Sequence, residues 1–174
     1  SGKSTLIRLL VGLEKSNGHI SIDDTILNSN NLKEIRKKIG LVFENPDNQF
    51  IAETVENDII FTLENLSYSK QEIKNRLEKI VERLKLESIL YKSPHDLSGG
   101  EKQLVALASA LVMEPQILIL DEAFAMIEPK TKTEILTQLQ KIHKETDITI
   151  LMITHDTNDS LYGDNIILMQ DGSI

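Results

Sequence analysis

The sequence predicts an α/β fold: a parallel sheet flanked by helices, with a small antiparallel β region and an inserted helical sub-lobe. Three observations predict it. Residues 99–153 alternate helical spacing with short apolar runs at 117–120 and 148–153, the order that gives parallel strands covered by helices. Residues 55–90 carry helical spacing throughout, too much consecutive helix for one crossover between strands. Two short β-prone runs, 20–26 and 39–43, are separated by an Asn-rich stretch at 28–31 and suggest a small sheet region of their own.

Taken in order, Leu6, Ile7, Leu9, Leu10 and Leu13 fall at near-helical spacing, with Gly12 and Gly18 marking the end, so residues 3–13 read as a helix. The two β-prone runs follow, and the chain bends at Pro46 just after Glu44. Ile59, Ile60 and Leu63 mark one helix of the sub-lobe, about residues 51–97, and Ile73, Leu77, Ile80, Val81 and Leu84 mark another. A helix over 99–113, a strand at 117–120, a helix over 130–146 and a strand at 148–153 complete the alternation. A last β-prone run, 165–169, leads into the turn Asp171-Gly172.

A length of 174 residues suits a single domain. The net charge of -8 argues against broad electrostatic attraction to nucleic acid or anionic lipid. With no cysteine, neither a disulfide framework nor a thiolate metal site is available. The longest apolar runs fall well short of the ~20 residues of a membrane helix, so a membrane role would come through a partner. The first residues, Ser1-Gly2-Lys3-Ser4-Thr5, read as the middle of a loop, which predicts that the N-terminal edge of the domain is missing, and the turn Asp171-Gly172 ending the chain as a strand begins predicts the same for the C-terminal edge.

That opening is the closing half of G-x-x-x-x-G-K-[ST], in which backbone N–H groups at a helix start hold phosphates. Lys3 would reach the β- and γ-phosphates and Ser4 would offer a hydroxyl to Mg²⁺; a plain capped helix start explains the same four residues. Ile117-Leu118-Ile119-Leu120 ends in Asp121 and Glu122, two carboxylates where ligands gather on a parallel sheet. Asp121 would orient Mg²⁺, and Glu122 would polarise the water attacking the γ-phosphate. The run 148–153 delivers His155 to the same edge, whereas His19, His95 and His143 read as solvated. In Leu97-Ser98-Gly99-Gly100-Glu101, paired glycines at a helix start let an anion approach the backbone. Ser98 and Glu101 also fit a capping box that needs no nucleotide, and the two readings are compatible.

In this order and spacing the motifs resemble the ATP-binding-cassette family over essentially the whole chain. Gly2-Lys3-Ser4-Thr5 resembles the end of its Walker A loop, 97–101 its signature, Leu120-Asp121-Glu122-Ala123 its Walker B with catalytic glutamate, and His155 its switch histidine. Residues 42–58, with Glu44-Asn45-Pro46-Asp47-Asn48-Gln49, are similar to the coupling loop of energy-coupling factor transporter ATPases. The resemblance implies a P-loop NTPase fold and ATP hydrolysis with Mg²⁺. Gly2, Lys3, Ser4, Thr5 and, from the partner, the signature residues Ser98, Gly99, Gly100 and Glu101 would bind ATP. Ser4, Glu44 and Asp121 would face the metal, and Glu122 and His155 would be catalytic. It also implies a head-to-tail dimer with a second cassette ATPase, an integral membrane transport subunit, a substrate-binding membrane protein, and a place on the cytoplasmic face of the cell membrane. Such assemblies import vitamins or transition-metal ions.

Three positions depart from the family pattern. Glu44 stands where Gln is usual, adding negative charge near the metal; Glu101 replaces the commoner Gln; and Glu128 replaces the Asp expected in subunit communication. Two rival functions remain open at this point: a soluble, non-transport cassette ATPase, and a slow or regulatory ATP-binding partner in a heterodimer.

Overall fold

The structure is a computed structural model that describes residues 2–174; Ser1, first residue of the opening loop, lies outside the described residues. Helix α1 (Lys3–Leu10) starts at Gly2, whose φ of 89° favours a residue without Cβ. It stops three residues short of the expected end, because Gly12 turns into the left-handed region at φ 65°. Strands β1 (Ser21–Ile22) and β2 (Thr25–Ile26) pair antiparallel around Asp23 and Asp24, whose φ values are 48° and 59°. Two left-handed turn residues match the twist of a tight hairpin. Residues 20–26, expected as one strand beside 39–43, therefore form a hairpin by themselves. A short helix, α2 (Leu32–Lys37), which the sequence pattern did not single out, follows it.

Strand β3 (Ile39–Phe43) corrects the expectation of a separate region: it belongs to the parallel sheet. Among the described residues that sheet has the order β3-β4-β5, with β4 (Ile117–Asp121) at the centre and β5 (Thr149–Ile153) beyond it. Its two faces separate by the period of two along each strand. Ile39, Leu41, Ile117, Ile119, Leu151 and Ile153 meet Ile7 of α1 and its C-cap Val11. Val42, Leu118, Leu120, Ile150 and Met152 enter the larger core beneath the other helices. A strand apolar on both faces has no alternation for the sequence to show, and so reads as a bare apolar run.

That larger core is built by α3 (Val55–Asn65), α4 (Lys70–Leu84), α5 (Gly99–Leu111) and α6 (Pro129–Thr146). Thr54 caps α3 by accepting from Asn57 N–H, and Ser69 with Glu72 closes a capping box on α4. Lys85 and Asp147 end α4 and α6 in the left-handed conformation. On α4, Leu77, Ile80, Val81 and Leu84 face inward at helical spacing. Buried Asp58 of α3 accepts from the N–H groups of Ile51 and Ala52 at 2.9 and 3.2 Å, which ties the loop after β3 to the helices.

The β-prone run 165–169 forms no strand. Ile166, Ile167 and Leu168 are exposed, and the pairing nearby is a single bridge between Gln170 and Ser173 around Asp171-Gly172. Strand propensity is realised through cross-strand neighbours, and none lies beside these residues among those described. No helix among the described residues is long and apolar enough to cross a membrane.

Candidate active site

The parallel register brings three chain segments to one edge. Phe43 pairs with Asp121 and Asp121 with Ile153, so β3, β4 and β5 end level. The residues that follow, Glu44, Glu122 and Thr154-His155, emerge together at the carboxyl edge, where α/β sheets collect ligands. Glu122 takes φ 50°, unusual for a residue with a side chain, and is held there because its N–H donates to Ile153 O at 3.0 Å. This turn aims the carboxylate sideways: Glu122 Oε2 lies 3.0 Å from His155 Nδ1. This contact joins two sequence-predicted site residues that follow neighbouring strands.

Burial, and then the neighbouring Glu122 and Glu44 carboxylates, push the Asp121 pKa above the usual carboxylate range, while Arg8 and Lys3 pull it down. That balance places Lys3 and Glu44 within electrostatic reach of Asp121. Lys3 opens α1, with Ser4 and Thr5 exposed in the first turn and Gly2 at the cap without a side-chain bond. The N–H groups of this turn are the ones a helix leaves unpaired, and they carry its positive end.

The candidate metal donors, the Ser4 hydroxyl and the Asp121 and Glu44 carboxylates, are all oxygen, which suits a hard cation such as Mg²⁺. The carboxylate repulsion on Asp121 is what a cation would relieve. Among the described residues no three carboxylates or histidines form a closed metal cage. Mg²⁺ is ordinarily held by one or two carboxylates together with waters and substrate phosphates, so the residues fit it only alongside a nucleotide.

The signature stretch stands apart from this cluster. Gln103 donates from Nε2 to Phe43 O at 2.9 Å, and Ala110 O lies beside Gly40, so α5 runs antiparallel along β3. The five residues from Gln103 back to Ser98 span about 7.5 Å at 1.5 Å per helical residue and lead beyond the last residue of β3. Ser98 and Glu101 form the expected capping box: Glu101 Oε2 accepts from Ser98 N at 2.8 Å and from Ser98 Oγ at 2.6 Å. A Cβ on Gly99 would meet nothing within 4 Å, and one on Gly100 would only touch Thr131 at 3.4 Å. Packing inside this chain does not require either glycine. Glu128 is exposed at the N-cap of α6.

The capping box gives a stability prediction. Ser98→Ala is expected to lower unfolding stability by about 1 kcal/mol, measured as a shift of the urea midpoint at unchanged slope. Its hydrogen bonds to Ser98 hold the Glu101 carboxyl below the ordinary range. A carboxylate with a depressed folded pKa stabilises fully above its unfolded value, so the difference between wild type and Ser98→Ala should shrink as pH falls through the Glu101 titration.

Several residues around the site were not singled out in the sequence. Gln103 is almost wholly buried; a glutamine at inward spacing with Leu107 and Leu111 was the available signal. Gln49 binds the end of β3 twice, accepting from Phe43 N at 3.0 Å and donating to Leu41 O at 3.2 Å. With the Lys102 to Asp47 ion pair at 2.6 Å, these contacts fix the backbone that carries Glu44. His143, expected to be solvated, instead has Nδ1 2.6 Å from Ile148 O and is half-buried; His19 and His95 are exposed as expected.

The family model described as ABC transporter matches residues 1–125. The chain is 43% identical over 175 residues to the energy-coupling factor transporter ATP-binding protein EcfA of Pediococcus pentosaceus, covering 100% of this chain and 62% of that protein. It is likewise 43% identical over 175 residues to EcfA1 of Streptococcus pyogenes serotype M5, covering 100% of this chain and 63% of that protein. The chain thus spans less than two thirds of the length of these curated relatives. Among solved structures, cbiO1 from Clostridium perfringens, part of the ABC transporter complex cbiONQ, superposes with a TM-score of 0.92 at 38% identity, covering 98% of this chain and 70% of that one. A bacterial ABC transporter cassette solved as a dimer gives a TM-score of 0.86 at 31% identity, covering 98% and 77%. With paired strand-end carboxylates and a histidine meeting at one sheet edge, and with the family model matched over most of its length, the chain belongs to the ABC transporter family.

Proposed function

We propose that this chain is the ATP-binding and ATP-hydrolysing part of a membrane importer of energy-coupling factor type, working on vitamins or transition-metal ions. The observation that carries the reading is the 3.0 Å contact between Glu122 and His155 at the edge shared with Asp121 and Glu44. The α1 N-terminus and Lys3 hold the β- and γ-phosphates, with Gly2 and Thr5 shaping the turn. Ser4, Asp121 and Glu44 would hold Mg²⁺, which would neutralise charge on the phosphates. Glu122 accepts the proton of the attacking water at its carboxylate, and His155 keeps that carboxylate oriented.

Gly99 and Gly100 point to a second cassette. They meet open space or bare contact within this chain, and as residues without Cβ they leave the backbone N–H groups of the helix start open to an anion. Facing ATP held by a partner, Ser98, Gly99, Gly100 and Glu101 would complete the site, with Glu128 communicating between subunits. The dimeric form of a structurally similar bacterial cassette supports this arrangement. Residues 51–97 act as the helical sub-lobe of a single domain that passes movement to an integral membrane subunit at the cytoplasmic face, beside a substrate-binding membrane protein. The names of the relatives support that placement.

Purifying the complete native protein from gently solubilised membranes tests this reading. Co-purification of a membrane scaffold, a second cassette ATPase and a small membrane substrate-binder is the expected result; only soluble partners would sink it.

The crowding of carboxylates at Asp121 favours a second reading, a slow ATPase partner in a heterodimer. Glu44 adds a negative charge where the γ-phosphate would lie. On that reading Glu44→Gln raises single-turnover hydrolysis by roughly tenfold, the effect of removing about 1.4 kcal/mol of repulsion. An unchanged or lower rate would return Glu44 to an ordinary metal-facing role.

A further inference from the structure

We propose that Lys132 is a positioning residue for hydrolysis, which aims His155 at Glu122 through Asp159 and Thr154 and ties it to the start of α6. The proposal rests on the ATPase reading above and adds to it a residue outside its motifs. The His155 side chain is 67% exposed, so packing does not hold it on Glu122. Its direction comes from the backbone on either side. Thr154 Oγ1 donates to Asp159 Oδ2 at 2.6 Å and accepts from Asp156 N at 3.0 Å. Asp156 in turn accepts from Asn158 N at 3.0 Å. Both neighbours of His155 are thus locked into one polar knot.

Lys132 closes that knot. Its Nζ lies 2.6 Å from Asp159 Oδ1 and 2.8 Å from Asp156 Oδ2, with the Asp159 side chain 4% and the Lys132 side chain 12% exposed. Burial disfavours the charged lysine, yet hydrogen bonds to Asp156 and Asp159 leave its pKa above the ordinary value. Removing one member of such a pair leaves a buried carboxylate without compensation. The Asp159 side chain, and with it Thr154, would then have to rearrange.

The position of Lys132 within its helix supports a role directed at the loop. It stands in the first turn of α6, where the helix dipole disfavours a cation. Two carboxylates outside the helix offset that cost. Lys132 N also donates to Glu128 O at 2.9 Å. The Lys132 side chain therefore joins the first turn of α6, which follows Glu128 at the proposed subunit junction, to the loop that presents His155. Arg83 and Glu145 make a comparably close pair at 2.5 Å between α4 and α6, with no link to that loop.

The test compares Lys132→Met, Lys132→Arg and Arg83→Met in the complete protein assembled with its transporter partners, reading steady-state ATP hydrolysis. Lys132→Met is expected to lower kcat by at least about tenfold while KM for ATP stays within about twofold. Lys132→Arg, which keeps the cation, is expected to recover kcat to within about threefold of wild type. Arg83→Met removes an ion pair of similar closeness and should leave kcat unchanged. A Lys132→Met kcat equal to wild type, a loss no greater than that of Arg83→Met, or no recovery with arginine overturns the proposal. If Lys132→Met fails to fold, Thr154→Val decides: loss of kcat at constant KM supports it, and unchanged kcat overturns it. Absence of hydrolysis by the wild-type assembly would overturn the ATPase reading itself, and the proposal with it.

Discussion

Glu122→Gln is expected to reduce ATP turnover by about 10²–10⁴-fold, the range for loss of a positioned general base. Glutamine keeps the shape of the side chain and can still bond to His155, but it cannot take a proton from water at neutral pH. The carboxylate is poised by its surroundings: Glu122 is fixed at φ 50° by the hydrogen bond to Ile153 O, and its Oε2 lies 3.0 Å from His155. Nothing in the substitution alters Lys3, the α1 N-terminus or the glycines of α5. Nucleotide affinity should therefore stay within about threefold of wild type, so that the loss falls on kcat alone. Steady-state hydrolysis and fluorescent-nucleotide binding on the complete protein check both halves. Turnover within tenfold of wild type would remove Glu122 from the role of base.

Leu120→Ala is expected to cost about 2–5 kcal/mol of unfolding stability, the range for truncating a buried leucine. Leu120 is fully buried in the central strand, with Val42 and Met152 opposite it in the neighbouring strands. Its side chain enters the larger core beneath α5 and α6. Strands on both sides limit how far the sheet can close over the space, so a cavity should persist. A chemical denaturation series reads the loss as a lower midpoint at constant slope. A change below about 1 kcal/mol would mean that the sheet and helices collapse into the gap.

Leu120 also precedes Asp121 and Glu122, so the residue with the largest expected stability effect and the candidate base lie on one strand. This arrangement separates two roles by direction: strand residues 118 and 120 fill the core, and the residues just past the strand's end meet the ligand edge.

The sequence by itself determined the local parts. Helical spacing located α3 to α6, the S-x-x-E pattern located the cap at Ser98, and ordered motifs marked Lys3, Asp121, Glu122 and His155. These signals are legible because spacing, caps and turn glycines are set by neighbours within a few residues. Tertiary structure decided what depends on pairing between distant segments. Residues 39–43 read as β-prone, but only alignment with 117–121 made them part of the parallel sheet and brought Glu44 beside Asp121. Residues 165–169 carry the same propensity and, with no paired neighbour among the described residues, form no strand. Gln103, Asp58 and Lys132 were passed over because a buried polar residue is recognised by the partner it reaches, and those partners lie 60, 7 and 24 residues away. Burial makes such partners obligatory, since an unpaired polar group out of water costs more than the bond contributes. The chemistry of the site was thus written locally, and its geometry was fixed by which strands and side chains met.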